Sequence, residues 1–227
     1  MNHSYGSWKT IVPSTPESEG LQQRQCTGCD HTQTRVIPKL TRSLKKPNLS
    51  VKTDDASGKP VLSWGSVKGA TAYQVYTLEN GQRTFLEEVG TRSYTHREAV
   101  TGNPYTYQVI AVSTTKCSDY SEPKSILCVC GIPQLKLVRD SVSGKPIATW
   151  EPVEGAVSYE LYRSANNRSY ERIATVEGNS YLVEDAVVGK THYYKVKAIG
   201  SSAELDSAQS GAVSHTCDCA RPVAVAE

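Results

Sequence analysis

The sequence predicts an all-β protein in which two copies of one β domain follow a small N-terminal β-meander. Residues 58–64 read GKPVLSW and residues 144–150 read GKPIATW, while residues 69–76 read GATAYQVY and residues 155–162 read GAVSYELY. In both pairs the copies are 86 residues apart, which indicates a duplicated domain of about the size of a β-sandwich. The chain has 13 tyrosines, one phenylalanine and one methionine, and no long helical periodicity, which favours strands.

Composition and charge argue against several classes of function. The net charge is +2 and the isoelectric point is about 8.1, which is too mild for a protein whose main partner is nucleic acid. The longest apolar runs are too short for membrane insertion. We expect an extracellular or cell-surface protein; since residues 1–4 do not begin a signal peptide, this chain is then expected to be a fragment of it.

We assign residues 1–42 to an N-terminal unit. Its sequence predicts three short strands, at residues 3–12, 21–26 and 33–37. Turns that contain proline or glycine separate them. A unit of this size buries too little apolar surface to fold unaided, so it needs a neighbour or a staple.

Cys26 and Cys29 are the candidates for such a staple. Two cysteines with this spacing form half of a tetrahedral zinc site, and His3, His31 and Cys117 are the candidates for the other half. A Cys26–Cys29 disulfide and free thiols are the open alternatives. Cys117 is a candidate because its predicted loop lies where the chain enters the first domain; otherwise it is an unpaired surface thiol. We expect no other cofactor.

The order of residues in this unit resembles a short repeat of cell-surface proteins from Gram-positive (Firmicutes-type) bacteria. The resemblance rests on His3, Tyr5, Trp8, Gly20, the CTGC segment at 26–29 and the VIP segment at 36–38. The repeat usually has a further cysteine before the glycine, whereas Pro16 stands at about that place here. This departure weakens any metal site that the resemblance implies.

The sequence of each duplicated domain predicts six strands in the same order. They lie at residues 47–51, 59–64, 73–76, 85–89, 93–95 and 105–111 in the first domain, and at 133–137, 145–150, 159–162, 170–176, 180–182 and 192–198 in the second. Alternation places Leu62 and Trp64 on one face of their strand, and Ala148 and Trp150 on one face of theirs. We expect these faces to form the cores.

A tryptophan in the second strand, a tyrosine in the third and a Tyr-x-Tyr-x-Val-x-Ala motif in the sixth together resemble the fibronectin type III family. The resemblance covers residues 45–130 and 131–220. It implies two tandem, immunoglobulin-like, seven-stranded β-sandwiches. The core residues that it implies are Trp64, Trp150, Tyr73, Tyr159, Tyr105 and His192.

In that family the first tyrosine of the sixth strand often bonds its hydroxyl back to nearby backbone. Tyr105 matches this position. His192 replaces it in the second domain, where we expect a substitute hydrogen bond from the ring and no catalytic role. The Arg-Gly-Asp integrin motif is absent from both domains.

Each domain ends in Cys-x-Cys with a proline three residues later, at Cys128, Cys130 and Pro133 and at Cys217, Cys219 and Pro222. Residues two apart in an extended strand are separated by about 7 Å, so a local disulfide needs a bend that the end of a strand can supply. Local disulfides, metal or redox use, and free thiols are the alternatives. Residues 221–227 are assigned to the start of a following segment.

The sequence favours a non-catalytic extracellular spacer or interaction module of a larger bacterial protein, with other domains of the same polypeptide as partners. The alternative is an adhesin module for a glycan, a cell-wall polymer or a host protein. Tyr120, Tyr170, the loops at one pole and the basic stretch from Arg35 to Lys52 are its candidate surfaces. No enzyme motif is present: there is no phosphate loop, H-E-x-x-H or G-x-S-x-G.

Overall fold

The structure is a computed structural model that describes residues 3–217. The strands up to the end of the first repeated domain are β1 (Lys9–Val12), β2 (Gly20–Gln25), β3 (Thr32–Ile37), β4 (Thr41–Leu44), β5 (Leu49–Thr53), β6 (Pro60–Trp64), β7 (Ala72–Glu79), β8 (Gln82–Val89), β9 (Ser93–Thr95), β10 (Pro104–Val112), β11 (Lys116–Ser118) and β12 (Lys124–Leu127). Those of the second domain are β13 (Lys136–Arg139), β14 (Pro146–Thr149), β15 (Ser158–Ser164), β16 (Glu171–Val176), β17 (Ser180–Leu182), β18 (Thr191–Ile199) and β19 (Val213–Thr216).

The described chain forms two compact units. The first unit comprises residues 3–51, 62–94 and 105–125, and the second comprises residues 52–61, 95–104 and 126–217. In residues 3–217 the one helical element is a 3-10 turn at Ala203–Leu205, and no helix there is long enough to cross a membrane.

The N-terminal part of the first unit is the expected meander of three antiparallel strands, in the order β1–β2–β3. Few of its side chains are buried. Aromatic rings and guanidinium groups pack on its surface instead: Arg24 lies 4.5 Å from the ring centre of Tyr5 and 4.6 Å from that of Trp8, and Arg35 lies 4.4 Å from Trp8. Stacks of this kind contribute about 0.5–1 kcal/mol each at exposed sites.

Part of the basic stretch from Arg35 to Lys52 forms a strand, β4. β4 pairs in parallel with β11, so that Arg42 lies opposite Cys117. Leu40 is buried in a cluster with Tyr76, Ile110 and Cys117. The first unit therefore ties the N-terminal region to the sheet that follows it.

The two repeated domains have the same strand order. In the first, β8–β7–β10 form one sheet, with β12 pairing β10, and β5–β6–β9 form another. In the second, the sheets are β16–β15–β18–β19 and β13–β14–β17. Residues of both sheets of the second domain meet in one core, among them Ala148, Leu161 and Val196. The fold is all-β, and the repeated domains are antiparallel sandwiches, as predicted.

The predicted tryptophan and tyrosine pairs form the same contact in both domains. The rings of Trp64 and Tyr73 are 5.4 Å apart and tilted by 55°, and those of Trp150 and Tyr159 are 5.2 Å apart and tilted by 53°. All four side chains are buried. Aromatic pairs of this geometry contribute about 0.5–1.5 kcal/mol beyond the area that they bury.

In each pair the tyrosine hydroxyl accepts a hydrogen bond from a backbone N–H. Val67 donates to Tyr73 at 3.0 Å, and Val153 donates to Tyr159 at 2.7 Å. The loop after the tryptophan is thereby fixed to the next strand. The indole N–H groups of the tryptophans find no partner among residues 3–217, so the rings serve there as apolar surface.

Tyr105 and His192 correct the sequence prediction of core residues. Both are only partly buried, whereas Tyr107 and Tyr194 are fully enclosed. Tyr105 and His192 are the second residues of β10 and β18. Within residues 3–217 the His192 ring makes no hydrogen bond, so the substitute bond is not formed there; the ring lies 6.4 Å from that of Tyr194.

A carboxylate stabilises the turn after the first strand of each domain. Asp54 accepts hydrogen bonds from the N–H (2.9 Å) and hydroxyl (2.7 Å) of Ser57, and Asp140 accepts them from Ser143 at 2.7 and 2.6 Å. These hydroxyl and N–H donors lower the pKa of both carboxyl groups below the usual value.

We expect Asp140→Asn to lower the melting temperature at pH 7 and to have a smaller effect at pH 3. A carboxyl group with a lowered folded-state pKa stabilises the protein above its unfolded pKa, about 3.9 for aspartate, and loses this contribution as the pH falls through the folded value. Thermal unfolding at both pH values measures the difference. Glu177→Gln, at an exposed position, is the control; an Asp140→Asn effect that is equal at pH 7 and pH 3 would contradict the assignment.

Candidate functional site

The junction between the repeated domains lies within the second unit and is made of closely packed backbone. We use the term junction for residues 55–59, 99–103, 128–132, 154–155 and Leu205. Ile132 donates its N–H to the carbonyl of Asp55 at 2.7 Å, and Cys130 donates to Leu205 at 2.9 Å. These two bonds join residues 130–132 to Asp55, earlier in the chain, and to Leu205, later in the chain.

Two glycines allow this approach. A Cβ atom on Gly131 would lie 2.2 Å from the carbonyl oxygen of Ala56, and one on Gly58 would lie 1.9 Å from that of Val129. Gly58 also has a φ of 72°, a conformation that other residues rarely adopt. Since both obstacles are backbone atoms, no side-chain rotation could relieve the clash.

The ammonium group of Lys59 adds an ion pair to the junction. Lys59 is nearly buried, and its Nζ donates to the carbonyl of Ala99 at 2.5 Å and to both carboxylate oxygens of Glu154 at 2.8 and 2.9 Å. Thr101 donates to the carbonyl of Glu154 at 3.4 Å. Lys59 lies in the first sequence repeat and Glu154 in the second, so the ion pair links the two repeats within the second unit.

Of the alternatives that the sequence leaves open for Cys128 and Cys130, the structure has free thiols and no local disulfide, and both residues are buried. Cys128 directs its Sγ to the carbonyls of Gly58 (3.4 Å) and Ala99 (3.9 Å), whereas Cys130 packs in the core of the second domain. Separate backbone hydrogen bonds hold the two residues, so the bend that a bridge requires is not made. Burial raises the pKa of both thiols and keeps them protonated and weakly nucleophilic.

Cys217 repeats the environment of Cys128 at the end of the second domain. Its Sγ lies 3.8 Å from the carbonyls of Gly144 and Ala186, and it is a buried free thiol. Cys219, its predicted partner, and the segment 221–227 lie outside the described residues.

A second candidate site brings together three of the predicted zinc ligands. The ligand atoms of His3, Cys26 and Cys29 all lie within 4.8 Å of one another, and His3 Nδ1 is 3.4 Å from Cys29 Sγ. His31 stacks on His3 with a ring separation of 4.6 Å, and its Nδ1 is hydrogen-bonded to the hydroxyl of Tyr5 at 2.8 Å.

Local donors make Cys26 the most acidic of the thiols whose pKa is perturbed. The backbone N–H of Gly28, then the His3 side chain, lower the pKa of Cys26 to about 7, against a smaller opposing effect of burial. These donors favour the thiolate, which is the form that binds metals.

Cys117 does not belong to this cluster, and it is not a surface thiol. It is fully buried beside Leu40, Tyr76 and Val112. The topological prediction was nevertheless useful, because Cys117 does lie beside the incoming chain, at the β4–β11 pairing. Burial raises its pKa.

The tyrosines proposed as sugar-stacking surfaces are largely occupied. Arg83 lies 4.0 Å from the ring centre of Tyr120, which also packs against Tyr76. Tyr170 has Lys195 at 4.5 Å from its ring centre and donates its hydroxyl to Asn167 at 2.5 Å. Tyr170 also lines a shallow pocket of about 360 Å³, together with Arg163, Ser164, Ala165, Asn166, Ser169, Glu171 and His192.

Comparisons with known proteins support the fold. No family model and no curated protein matches the chain. Among solved structures, the chicken interferon gamma receptor alpha chain is 17% identical with a TM-score of 0.58, over 76% of this chain and 98% of that one. A two-domain fibronectin type III segment of chicken tenascin is 19% identical with a TM-score of 0.41, over 74% of this chain and 98% of that one.

Identities this low show the fold alone. The similarity to the interferon gamma receptor chain and the strand order together support a fold of tandem β-sandwiches.

We expect Gly131→Ala to destabilise the protein by more than about 1 kcal/mol, because the new methyl group displaces backbone across the junction. Gly178→Ala is the matched control, since a Cβ there meets nothing within 4 Å. Urea unfolding of both variants measures the difference. Equal midpoints would show that the close approach contributes nothing.

Proposed function

We propose that this chain is a non-catalytic extracellular spacer and interaction module of a larger bacterial surface or secreted protein. The observation that carries the proposal is the junction, where backbone packs on backbone and an ion pair links the two domains. In this proposal residues 45–130 and 131–220 are the two domains. Their partners are other domains of the same polypeptide.

The construction of the junction favours stiffness over flexibility. A flexible connection between domains is usually a polar or glycine-rich linker with few contacts. Here Cys128, Val129, Cys130 and Ile132 all donate backbone hydrogen bonds within the junction. A connection of this kind suits a module that holds its neighbours at a fixed separation.

The buried tyrosines and cysteines of the two repeated domains support a non-catalytic role for those domains. Burial raises the pKa of Tyr194 to about 12 and raises those of Tyr76, Cys128 and Cys130. Such groups stay protonated and unreactive at neutral pH. An extracellular location is proposed on the fold, which is common in cell-surface proteins, and a Gram-positive origin on the resemblance of the N-terminal unit to surface repeats.

Nuclear relaxation of backbone ¹⁵N tests the proposed stiffness. We expect amides of β6, β7 and β10 and those of β14, β15 and β18 to report one common rotational correlation time. Insertion of four residues, Gly-Ser-Gly-Gly, between Gly131 and Ile132 should shorten both correlation times, because the domains then tumble separately. Different correlation times in the unmodified protein, or no change on insertion, would refute a stiff junction.

A binding function is the second candidate, favoured by the pocket beside Tyr170. Its lining combines the edge of an aromatic ring with Arg163, Asn166 and Glu171, groups that hydrogen-bond sugar hydroxyls. Lys195 covers part of the Tyr170 ring, so a sugar would meet the polar groups more than the ring face.

A glycan array followed by titration decides between the candidates. A spacer gives no saturable signal. If the pocket binds a glycan, Asn166→Ala should abolish the saturable signal, whereas Lys9→Ala, in β1, should leave it unchanged. A signal that both variants retain would place binding elsewhere on the surface.

A further inference from the structure

We infer that His3, Cys26 and Cys29 bind one Zn²⁺ ion and leave its fourth coordination position open to solvent. The three side chains come from two separate parts of the chain, residue 3 and the loop that follows β2. Their ligand atoms nevertheless converge within 4.8 Å of one another. One nitrogen and two sulfur ligands form a donor set that binds zinc in preference to calcium or magnesium.

The distances fit tetrahedral coordination. Zinc bonds of about 2.0–2.1 Å to nitrogen and about 2.3 Å to sulfur place the two ligand atoms about 3.5 Å apart at a tetrahedral angle. His3 Nδ1 and Cys29 Sγ are 3.4 Å apart. An ion would therefore enter with little movement of these two side chains.

The site is open to solvent. Cys29 and His3 are exposed, so the ion can reach the site and water can fill the fourth position.

His31 positions a ligand instead of supplying one. Its Nδ1 is engaged with the Tyr5 hydroxyl, and its ring is nearly parallel to that of His3, at 13°. In this arrangement His31 holds the His3 ring in place. Cys117, buried in the apolar cluster with Leu40, takes no part.

Zinc would fasten the start of the chain to the meander. Residues 3–6 are held there by a few backbone bonds, in which Thr27 donates to Ser4 at 2.8 Å, Gly6 donates to Gln25 at 3.0 Å and Tyr5 pairs with Cys26, and by exposed contacts of the His3 and Tyr5 side chains. The meander has few buried side chains, and small units of this kind often gain their stability from a metal. The ion would supply the staple that its core lacks.

Cobalt spectroscopy of the full chain with reduced thiols tests the site. We expect one Co²⁺ per chain to give the sulfur-to-cobalt charge-transfer band and the intense visible bands of tetrahedral cobalt, both removed by stoichiometric Zn²⁺. His3→Ala and Cys29→Ser should each weaken zinc binding by more than about 100-fold, beyond the range of outer-sphere substitutions. His31→Ala should retain the charge-transfer band, with affinity reduced by at most about 100-fold.

Hydrogen exchange adds a readout that does not depend on colour. Zinc should slow exchange of the Thr27 and Gly6 amides in the unmodified protein and not in Cys29→Ser, while amides of β18, in the second unit, stay unchanged in both. Absence of a saturable cobalt spectrum from the reduced protein would overturn the site. So would a loss of binding in His31→Ala as complete as that in His3→Ala, because the ligand set would then be wrong.

Discussion

Burial of one tryptophan between two sheets is the interaction on which each repeated domain depends. The indole contacts a tyrosine of the next strand, and the hydroxyl of that tyrosine accepts a hydrogen bond from the loop between them. Apolar packing and loop geometry are thus fixed by the same two side chains. The arrangement recurs in the second domain with ring distances that differ by only 0.2 Å (5.4 and 5.2 Å).

The repeated domains depend on a large buried side chain, whereas the junction depends on the absence of side chains at two glycines. Gly58 and Gly131 bring the backbone of the turn at residues 55–58 against that of residues 129–132, closer than any Cβ allows. The thiols of Cys128 and Cys130 fill space on either side without bonding to each other. Lys59 adds a charge that would be costly to bury alone, and it is satisfied by Ala99 and Glu154.

The N-terminal unit is stabilised differently, because it has too few apolar side chains to form a core of its own. It uses guanidinium groups stacked on aromatic rings, parallel pairing of β4 with β11, and a cluster of thiols and imidazoles. The stacked guanidinium groups lie at the surface, whereas the β4–β11 pairing adjoins the buried cluster of Leu40 and Cys117. The region therefore depends on local chemistry, whereas the sandwiches depend on enclosed volume.

The sequence by itself determined the duplication, the order of strands along the chain and the faces that carry Trp64 and Trp150. A period of two and a repeat of 86 residues are both visible in the linear sequence. It also named the three residues of the thiol and imidazole cluster, among others. Only the tertiary structure decided that Cys117 is buried, that Cys128 and Cys130 face different surroundings, and that residues 41–44 are a strand. These outcomes depend on contacts between residues far apart in the chain, and spacing along the sequence does not encode which of them meet.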